Sequence, residues 1–229
     1  MLPVRDHLPT RSFPVVNYAL IALNLAVFGL EAGGLVDVEA LALVPSKLIA
    51  HPWASAPSLF AHMFLHAGLS HVAGNMLFLW IFGDNVEDAL GHARYVVFYI
   101  ACGLCAAFAQ VAASPHATAS MVGASGAISG VLAAYAVLYP RSPITVVNPI
   151  PIMWLFWGLF MSFPAWLVIL EFFLVNLWNA FQHGSAAGGV AFVAHIGGFV
   201  AGLGLLPLLR TQEPVEYDPW ERLLGARRA

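Results

Sequence analysis

The chain has 229 residues, of which 60% are hydrophobic and only 9% are charged, and its mean hydropathy is +0.81. A soluble domain averages about 25% charged residues, so this chain lacks the polar side chains that would cover a water-facing surface. A net charge of −3 with nine scattered Lys and Arg residues gives no sign of nucleic-acid binding. The composition therefore predicts an all-α polytopic membrane protein whose main partner is the lipid bilayer.

Six apolar segments are long enough to cross a hydrocarbon core of about 30 Å, which takes about 20 helical residues. The predicted spans are 14–33, 62–82, 95–113, 122–139, 164–181 and 189–209. They form one predicted membrane domain, 14–209, with a short N-terminal segment at 1–13 and a C-terminal tail at 210–229. No second soluble domain is expected.

The basic residues predict an orientation. An even number of spans places both ends of the domain on one side, and that side would hold eight arginines: Arg5, Arg11, Arg94, Arg141, Arg210, Arg222, Arg227 and Arg228. The other side would hold only Lys47. Cytoplasmic loops carry the excess of positive charge, so both termini are predicted to be cytoplasmic, in an inner or plasma membrane. Segment 34–61, between the first two spans, then becomes a long external loop.

The run 149–181 is too long for one span and too short for two spans with a turn. Pro164 cannot donate a helical hydrogen bond, and it disfavours helical backbone at Phe163. We therefore expect an interfacial stretch that contains Trp154 and Trp157, followed by a fifth span that begins near Pro164.

Candidate metal ligands are few. Cys102 and Cys105 form a C-x-x-C inside the third span, but there is no second Cys pair, and small core residues are a simpler interpretation than redox chemistry. His62 and His66 lie one turn apart without a carboxylate or Cys ligand nearby in sequence. The sequence therefore predicts no metal and no cofactor, and we expect His66 to hydrogen-bond loop backbone.

Four polar residues fall into one layer of the predicted membrane domain. Spans two, four and six run in the same direction, and His71, Asn75, Ser125 and His195 all lie in their outer halves. If one of these residues stood at the same offset on an oppositely directed span, the four could not meet. Polar side chains at membrane depth are costly and tend to mark function.

Two stripes of small residues repeat at every fourth position: Gly126, Gly130 and Ala134 on the fourth span, and Ala194, Gly198 and Gly202 on the sixth. Such stripes let helix backbones approach closely in lipid. Ser125 adjoins the first stripe and His195 the second, so close approach would bring hydroxyl to imidazole. The alternative is that the glycines serve packing alone and Ser125 bonds to its own chain.

The residue types fit acyl transfer. A serine hydroxyl needs a base to take its proton, and a neutral imidazole suits that role, which assigns Ser125 and His195. His71 and Asn75, at i and i+4 on one helix face, could donate to an oxyanion along with backbone N–H groups near Ser125. No carboxylate is clearly placed to orient His195, so we predict a dyad. Glu171 is expected to pair with a cation or to line a water-filled cavity, a third catalytic member being the alternative.

Four short motifs occur in order along the chain. They are His66, His71 and Asn75 on the second span; Glu87, Gly91 and Arg94-Tyr95 after it; Gly123-Ala124-Ser125-Gly126, similar to G-x-S-G; and Ala194-His195 followed by Gly198 and Gly202, similar to A-H-x-x-G-x-x-x-G. In this order and on these spans, the set resembles the rhomboid family of intramembrane serine proteases.

This resemblance implies a six-helix bundle that hydrolyses transmembrane protein substrates near the outer ends of their membrane segments. It makes Ser125 the nucleophile and His195 the general base, with His71, Asn75 and the Ser125 backbone N–H as oxyanion donors. The supporting residues would be Gly123, Gly126, His66 and Gly198. Where many relatives carry an aromatic that packs on the histidine, this chain has Ser129.

Two other functions are compatible with a membrane bundle of this kind. One is a protein that binds membrane clients without catalysis, but inactive relatives usually lose the serine or the histidine, and both are present here. The other is a transporter that uses the His-rich outer half. A transporter would be expected to carry polar residues through both halves of the bilayer, whereas the inner halves of these spans are mostly apolar.

Overall fold

The computed structural model of the chain describes residues 1–148, 150–183, 191–211 and Trp220. Its helices are α1 (Val15–Ala32), α2 (Val38–Leu41), α3 (Pro45–Ala50), α4 (Pro52–Ser55), α5 (Ser58–Ala61), α6 (Leu69–Leu90), α7 (His92–Ala113), α8 (Ser125–Leu138), α9 (Trp154–Trp157), α10 (Ala165–His183) and α11 (Phe192–Leu209). Its strands are β1 (Leu2–Arg5), β2 (Pro143–Val147) and β3 (Phe160–Pro164). Most of the predicted tail, 210–229, and the first residues of the sixth predicted span lie outside the described residues.

Six long helices, α1, α6, α7, α8, α10 and α11, occupy the six segments predicted as spans and form a polytopic helical bundle. Four of them, α1, α7, α10 and α11, are by themselves long and apolar enough to cross a membrane. Helix α6 passes that test only together with the short helices before it, from which it is bent by 74°. Helix α8 is apolar but has 14 residues. The count of six crossings therefore stays a prediction.

The predicted boundaries of the second span were wrong. Helix α6 begins at Leu69, after a 3-10 turn at His62–Phe64, and it continues to Leu90 rather than ending at 82. The added turns are polar, and two of their carboxylates, Glu87 and Asp88, are buried with partners. Glu87 accepts the backbone N–H groups of Val16 and Asn17 at 3.0 and 2.6 Å. These N–H groups belong to the first turn of α1, where no helical carbonyl is available to them, so Glu87 joins α6 to α1.

A three-stranded antiparallel sheet was missed by the all-α prediction. Strand β2 lies in its centre, paired with β1 on one side and β3 on the other. The N-terminal segment is therefore attached to the bundle, and the hydroxyl of Tyr135 on α8 donates to Asp6 at 3.0 Å. Burial raises the pKa of Asp6 to about 7, and the nearby carboxyl of Asp84 adds to the effect. We refer to this end of the bundle as the sheet end.

The opposite end, here called the loop end, carries the segment between α1 and α6. This segment is the predicted long loop, and it contains the four short helices α2 to α5. An isolated bridge between Leu43 and Met121 attaches it to the residues just before α8. Trp53 on α4 is 91% exposed. Helix α8 thus begins at the loop end and leads into β2 at the sheet end.

Helices α8 and α11 pack backbone to backbone, as the two small-residue stripes predict. A Cβ atom added to Gly198 would overlap the carbonyl oxygen of Gly126, and one added to Gly202 would overlap that of Gly130. Cys102 of α7 fills the space beside Gly130 and is buried. Only glycine allows the two helices to lie this close together. The close contact in turn fixes the position of the first turn of each helix.

Substitution of Gly198 by alanine tests this packing. Because the added methyl group would meet backbone, the helices must separate, and Gly198→Ala is expected to lower the free energy of unfolding by about 1–3 kcal/mol. Gly204→Ala is the matched control, since Gly204 lies on the same helix with no atom within 4 Å of its added Cβ. Reversible unfolding in mixed micelles measures both. Equal stabilities of the two variants would contradict the close contact.

Candidate active site

The Ser125 hydroxyl and the His195 imidazole meet near the loop end of the bundle. Ser125 is the first residue of α8, and His195 lies in the first turn of α11. The Oγ atom of Ser125 is 2.7 Å from Nε2 of His195, which is hydrogen-bond distance. Both side chains are half-buried. A serine and an imidazole in this contact can exchange a proton without rearrangement.

The other ring nitrogen of His195 has a partner that the sequence analysis missed. Nδ1 lies 2.5 Å from Oδ1 of Asn176, on α10. The position of Asn176 in the membrane could have revealed it, because Asn176 is a polar residue in the outer half of the fifth predicted span. Glu171, which the sequence offered as an alternative third member, instead pairs with the amino group of Met1 at 2.7 Å. The predicted pairing role of Glu171 is thus the one seen.

Two phenylalanines pack beside the imidazole. The ring centroids of Phe172 and Phe192 lie 6.1 and 6.5 Å from that of His195. Ser129, noted above as a departure from the pattern of many relatives, is buried, and its hydroxyl donates to the Ser125 carbonyl at 2.8 Å. Aromatic support for the ring therefore comes from α10 and the start of α11 rather than from α8.

His71 and Asn75 of α6 face the residues just before Ser125. A Cβ atom on Gly123 would lie 2.9 Å from Nε2 of His71 and 3.6 Å from Nδ2 of Asn75. The Asn75 amide also donates to Nε2 of His66 at 3.0 Å. The His66 ring has the expected contact with loop backbone, at Phe64, and it also holds the Asn75 amide in place, which was not expected.

The backbone just before α8 adopts, at position 123, a conformation that favours glycine. Gly123 has φ of +123°, and its N–H donates to the His62 carbonyl at 2.8 Å. Nδ1 of His62 lies 2.8 Å from the Ser58 carbonyl, which fixes that side chain in turn. A side chain at Gly123 would both strain the backbone and displace His71. The G-x-S-G pattern thus has a geometric cause at its first position.

These groups line a single cavity of about 470 Å³ between α6, α8, α10 and α11. Its polar lining comprises His62, Ser70, His71, Asn75, Ser125 and His195. The rest is apolar, with Met121, Phe78 and Phe172 among the larger side chains. The cavity therefore places a hydroxyl, an imidazole and an amide around one apolar space. Cys105 is exposed and Cys102 buried, and neither lines it.

Comparison with known proteins gives the family of the chain. The family model of the rhomboid domain matches residues 53–212. The chain belongs to the rhomboid family. The match covers the second half of the loop-end segment and every helix that lines the cavity, and the protein is an integral membrane protein of that family.

Three rhomboid relatives show how far the similarity extends. Rhomboid protease GluP of Bacillus subtilis is 37% identical over 128 residues, which are 53% of this chain and 24% of GluP. Rhomboid protein 1, mitochondrial, of Saccharomyces cerevisiae is 28% identical over 227 residues, 92% of this chain and 57% of the relative. The human presenilin-associated rhomboid-like protein, mitochondrial, is 28% identical over 133 residues, 56% of this chain and 34% of the relative. The chain thus spans at most 57% of the length of these relatives.

The Gly123 geometry predicts a loss of serine reactivity on substitution. Gly123→Ala would displace His71 and the start of α8 and should slow labelling of Ser125 by a fluorophosphonate about 10- to 100-fold. Gly74→Ala is the control, because Gly74 lines the same cavity but has no atom within 4 Å of its added Cβ. Labelling rates followed by in-gel fluorescence measure both, and equal rates would show that Gly123 does not set the site.

Proposed function

We propose that this rhomboid-family protein is an intramembrane serine endopeptidase that cleaves transmembrane protein substrates. The observation that carries the proposal is the 2.7 Å contact between Ser125 Oγ and His195 Nε2 at the wall of the cavity. A structural serine on a membrane helix ordinarily bonds to its own backbone, as Ser129 does. Ser125 instead directs its hydroxyl toward a base on another helix.

The proposed reaction proceeds through an acyl-enzyme. His195 Nε2 takes the Ser125 proton while Oγ forms a bond to the scissile carbonyl carbon, and the carbonyl electron pair moves onto oxygen. As the tetrahedral intermediate collapses, the carbon–nitrogen bond breaks and the imidazolium gives its proton to the leaving amine. Water then attacks the ester with His195 again as base, which releases the carboxylic acid and restores Ser125.

The oxyanion would be stabilised by donors from two helices. The first N–H groups of α8 have no helical acceptor, and His71 and Asn75 approach the same point from α6. Because His66 accepts one Asn75 N–H, the amide is held in one orientation with a second N–H left over. Preorganised donors of this kind need no rearrangement when the negative charge develops.

The site would act at the outer side of the membrane. With residues 1–13 and 210–229 cytoplasmic, as the distribution of arginines predicts, the loop end faces outward. The active cavity adjoins the loop end, so water and the outer end of a substrate segment would reach it from there. The proposed location is the inner or plasma membrane, with residues 14–209 forming the protease domain.

The primary test is cleavage of a fluorescent single-span substrate by the purified protein in detergent. Ser125→Ala and His195→Ala should each lower kcat by more than about 10³-fold, because nucleophile and base act as one unit. Ser129→Ala is the control, since it removes a hydroxyl one turn along the same helix that bonds only to backbone. Cleavage that survives Ser125→Ala would overturn the protease assignment.

The proposed oxyanion donor gives a second test. Asn75→Ala is expected to lower kcat about 10²- to 10³-fold with little change in KM, because the donor acts mainly on the transition state. Steady-state kinetics on the same substrate separates the two constants. A raised KM at unchanged kcat would assign Asn75 to substrate binding or structure instead.

A further inference from the structure

We propose that Asn176 is the positioning residue of the active site, so that catalysis runs on a Ser125–His195–Asn176 triad rather than on a dyad. This inference rests on the proposed protease function and deepens it. The sequence alone indicates no partner for the second ring nitrogen of His195. The structure supplies one from a third helix, α10, through a neutral amide.

The orientation of the Asn176 amide is fixed by its second hydrogen bond. Nδ2 donates to the carbonyl of Phe172 at 2.8 Å, one turn earlier on α10. The oxygen Oδ1 is therefore the atom that faces His195 Nδ1 at 2.5 Å. An amide oxygen can only accept a hydrogen bond, so Nδ1 of the imidazole must carry the proton. Asn176 is 7% exposed, which shields this bond from competition by water.

The tautomer that results is the one that catalysis requires. A neutral imidazole with its proton on Nδ1 has its lone pair on Nε2, the atom 2.7 Å from the Ser125 hydroxyl. The opposite tautomer would present an N–H to Ser125 and could not act as its base. Phe172 and Phe192 contact the ring, but an aromatic contact does not distinguish one tautomer from the other. Among the described side chains, Asn176 is the one whose hydrogen bond selects this tautomer.

The amide also acts when the imidazolium forms. After Nε2 takes the serine proton, both ring nitrogens are donors, and the Asn176 oxygen continues to accept from Nδ1. The dipole of the amide carbonyl then points its negative end at the new positive charge. Asn176 does not exchange a proton in this step, so it acts only through His195.

The decisive variants are Asn176→Ala and Asn176→Asp, with Asn179→Ala as the matched control. Asn179 is a partly exposed asparagine on the same helix, and its amide makes the same kind of bond, to the Val175 carbonyl at 2.8 Å. Asn179 does not line the cavity. Loss of either asparagine therefore removes one equivalent bond within the helix, but only Asn176 contacts His195.

With the single-span substrate, Asn176→Ala is expected to lower kcat about 10- to 100-fold while KM stays within about 2-fold, because part of the imidazole takes the inactive tautomer. Asn176→Asp should retain more activity than the alanine variant. Its carboxylate would stabilise the imidazolium, so the acidic limb of its kcat–pH profile should move to higher pH. A purely structural asparagine would not move that limb.

The possible outcomes separate this inference from the proposed function. Wild-type protein without Ser125-dependent turnover would overturn the protease assignment itself. Ser125-dependent turnover with Asn176→Ala indistinguishable from Asn179→Ala would overturn only the role of Asn176. If Asn176→Ala fails to fold, the aspartate variant decides, since a wild-type pH profile in that variant would also overturn the role.

Discussion

The close contact of α8 with α11 is the constraint on which the rest of the site depends. Glycines at Gly198 and Gly202 let one backbone lie directly against the carbonyl groups of the other. In lipid there is no hydrophobic drive to press helices together, so packing of this kind has to come from close backbone contact. Because the contact includes Gly126, the residue after Ser125, it places the start of α8 against α11, and the loop residues that fix Gly123 complete the position of Ser125.

The other two walls of the site are α6 and α10, which other contacts hold in place. Helix α6 is fixed at its sheet end, where Glu87 accepts N–H groups of α1, and at its loop end through the bent segment that carries His62 and His66. Helix α10 is joined to β3 and contacts the site through Phe172 and Asn176. The proposed reaction centre is therefore held by four helices, each of which supplies a different kind of group: nucleophile, base, oxyanion donors and the partner of the base.

The sequence was informative where the chemistry is local or periodic, and it failed where a contact depends on long-range assembly. The sequence predicted the two stripes and the adjoining Ser125 and His195. A four-residue period shows which residues share a helix face, even when the neighbouring helices are unknown. The extent of α6 was not readable, since its buried Glu87 looks like a water-facing residue until its partners on α1 are known. Asn176 was missed for the same reason, because an amide on α10 has no pattern in sequence that links it to an imidazole on α11.

The presence of an amide rather than a carboxylate beside His195 fits the position of the site at membrane depth. An ionised carboxylate buried at membrane depth costs several kcal/mol unless a cation compensates it, and no Lys or Arg is among the described residues that line the cavity. An amide orients the imidazole with no such cost, because it carries no charge in the resting state. The proposed intermediate then contains one positive imidazolium and one negative oxyanion, which compensate each other. Asn176 would stabilise the imidazolium less than a carboxylate does, but it keeps the resting site neutral, as the apolar surroundings require.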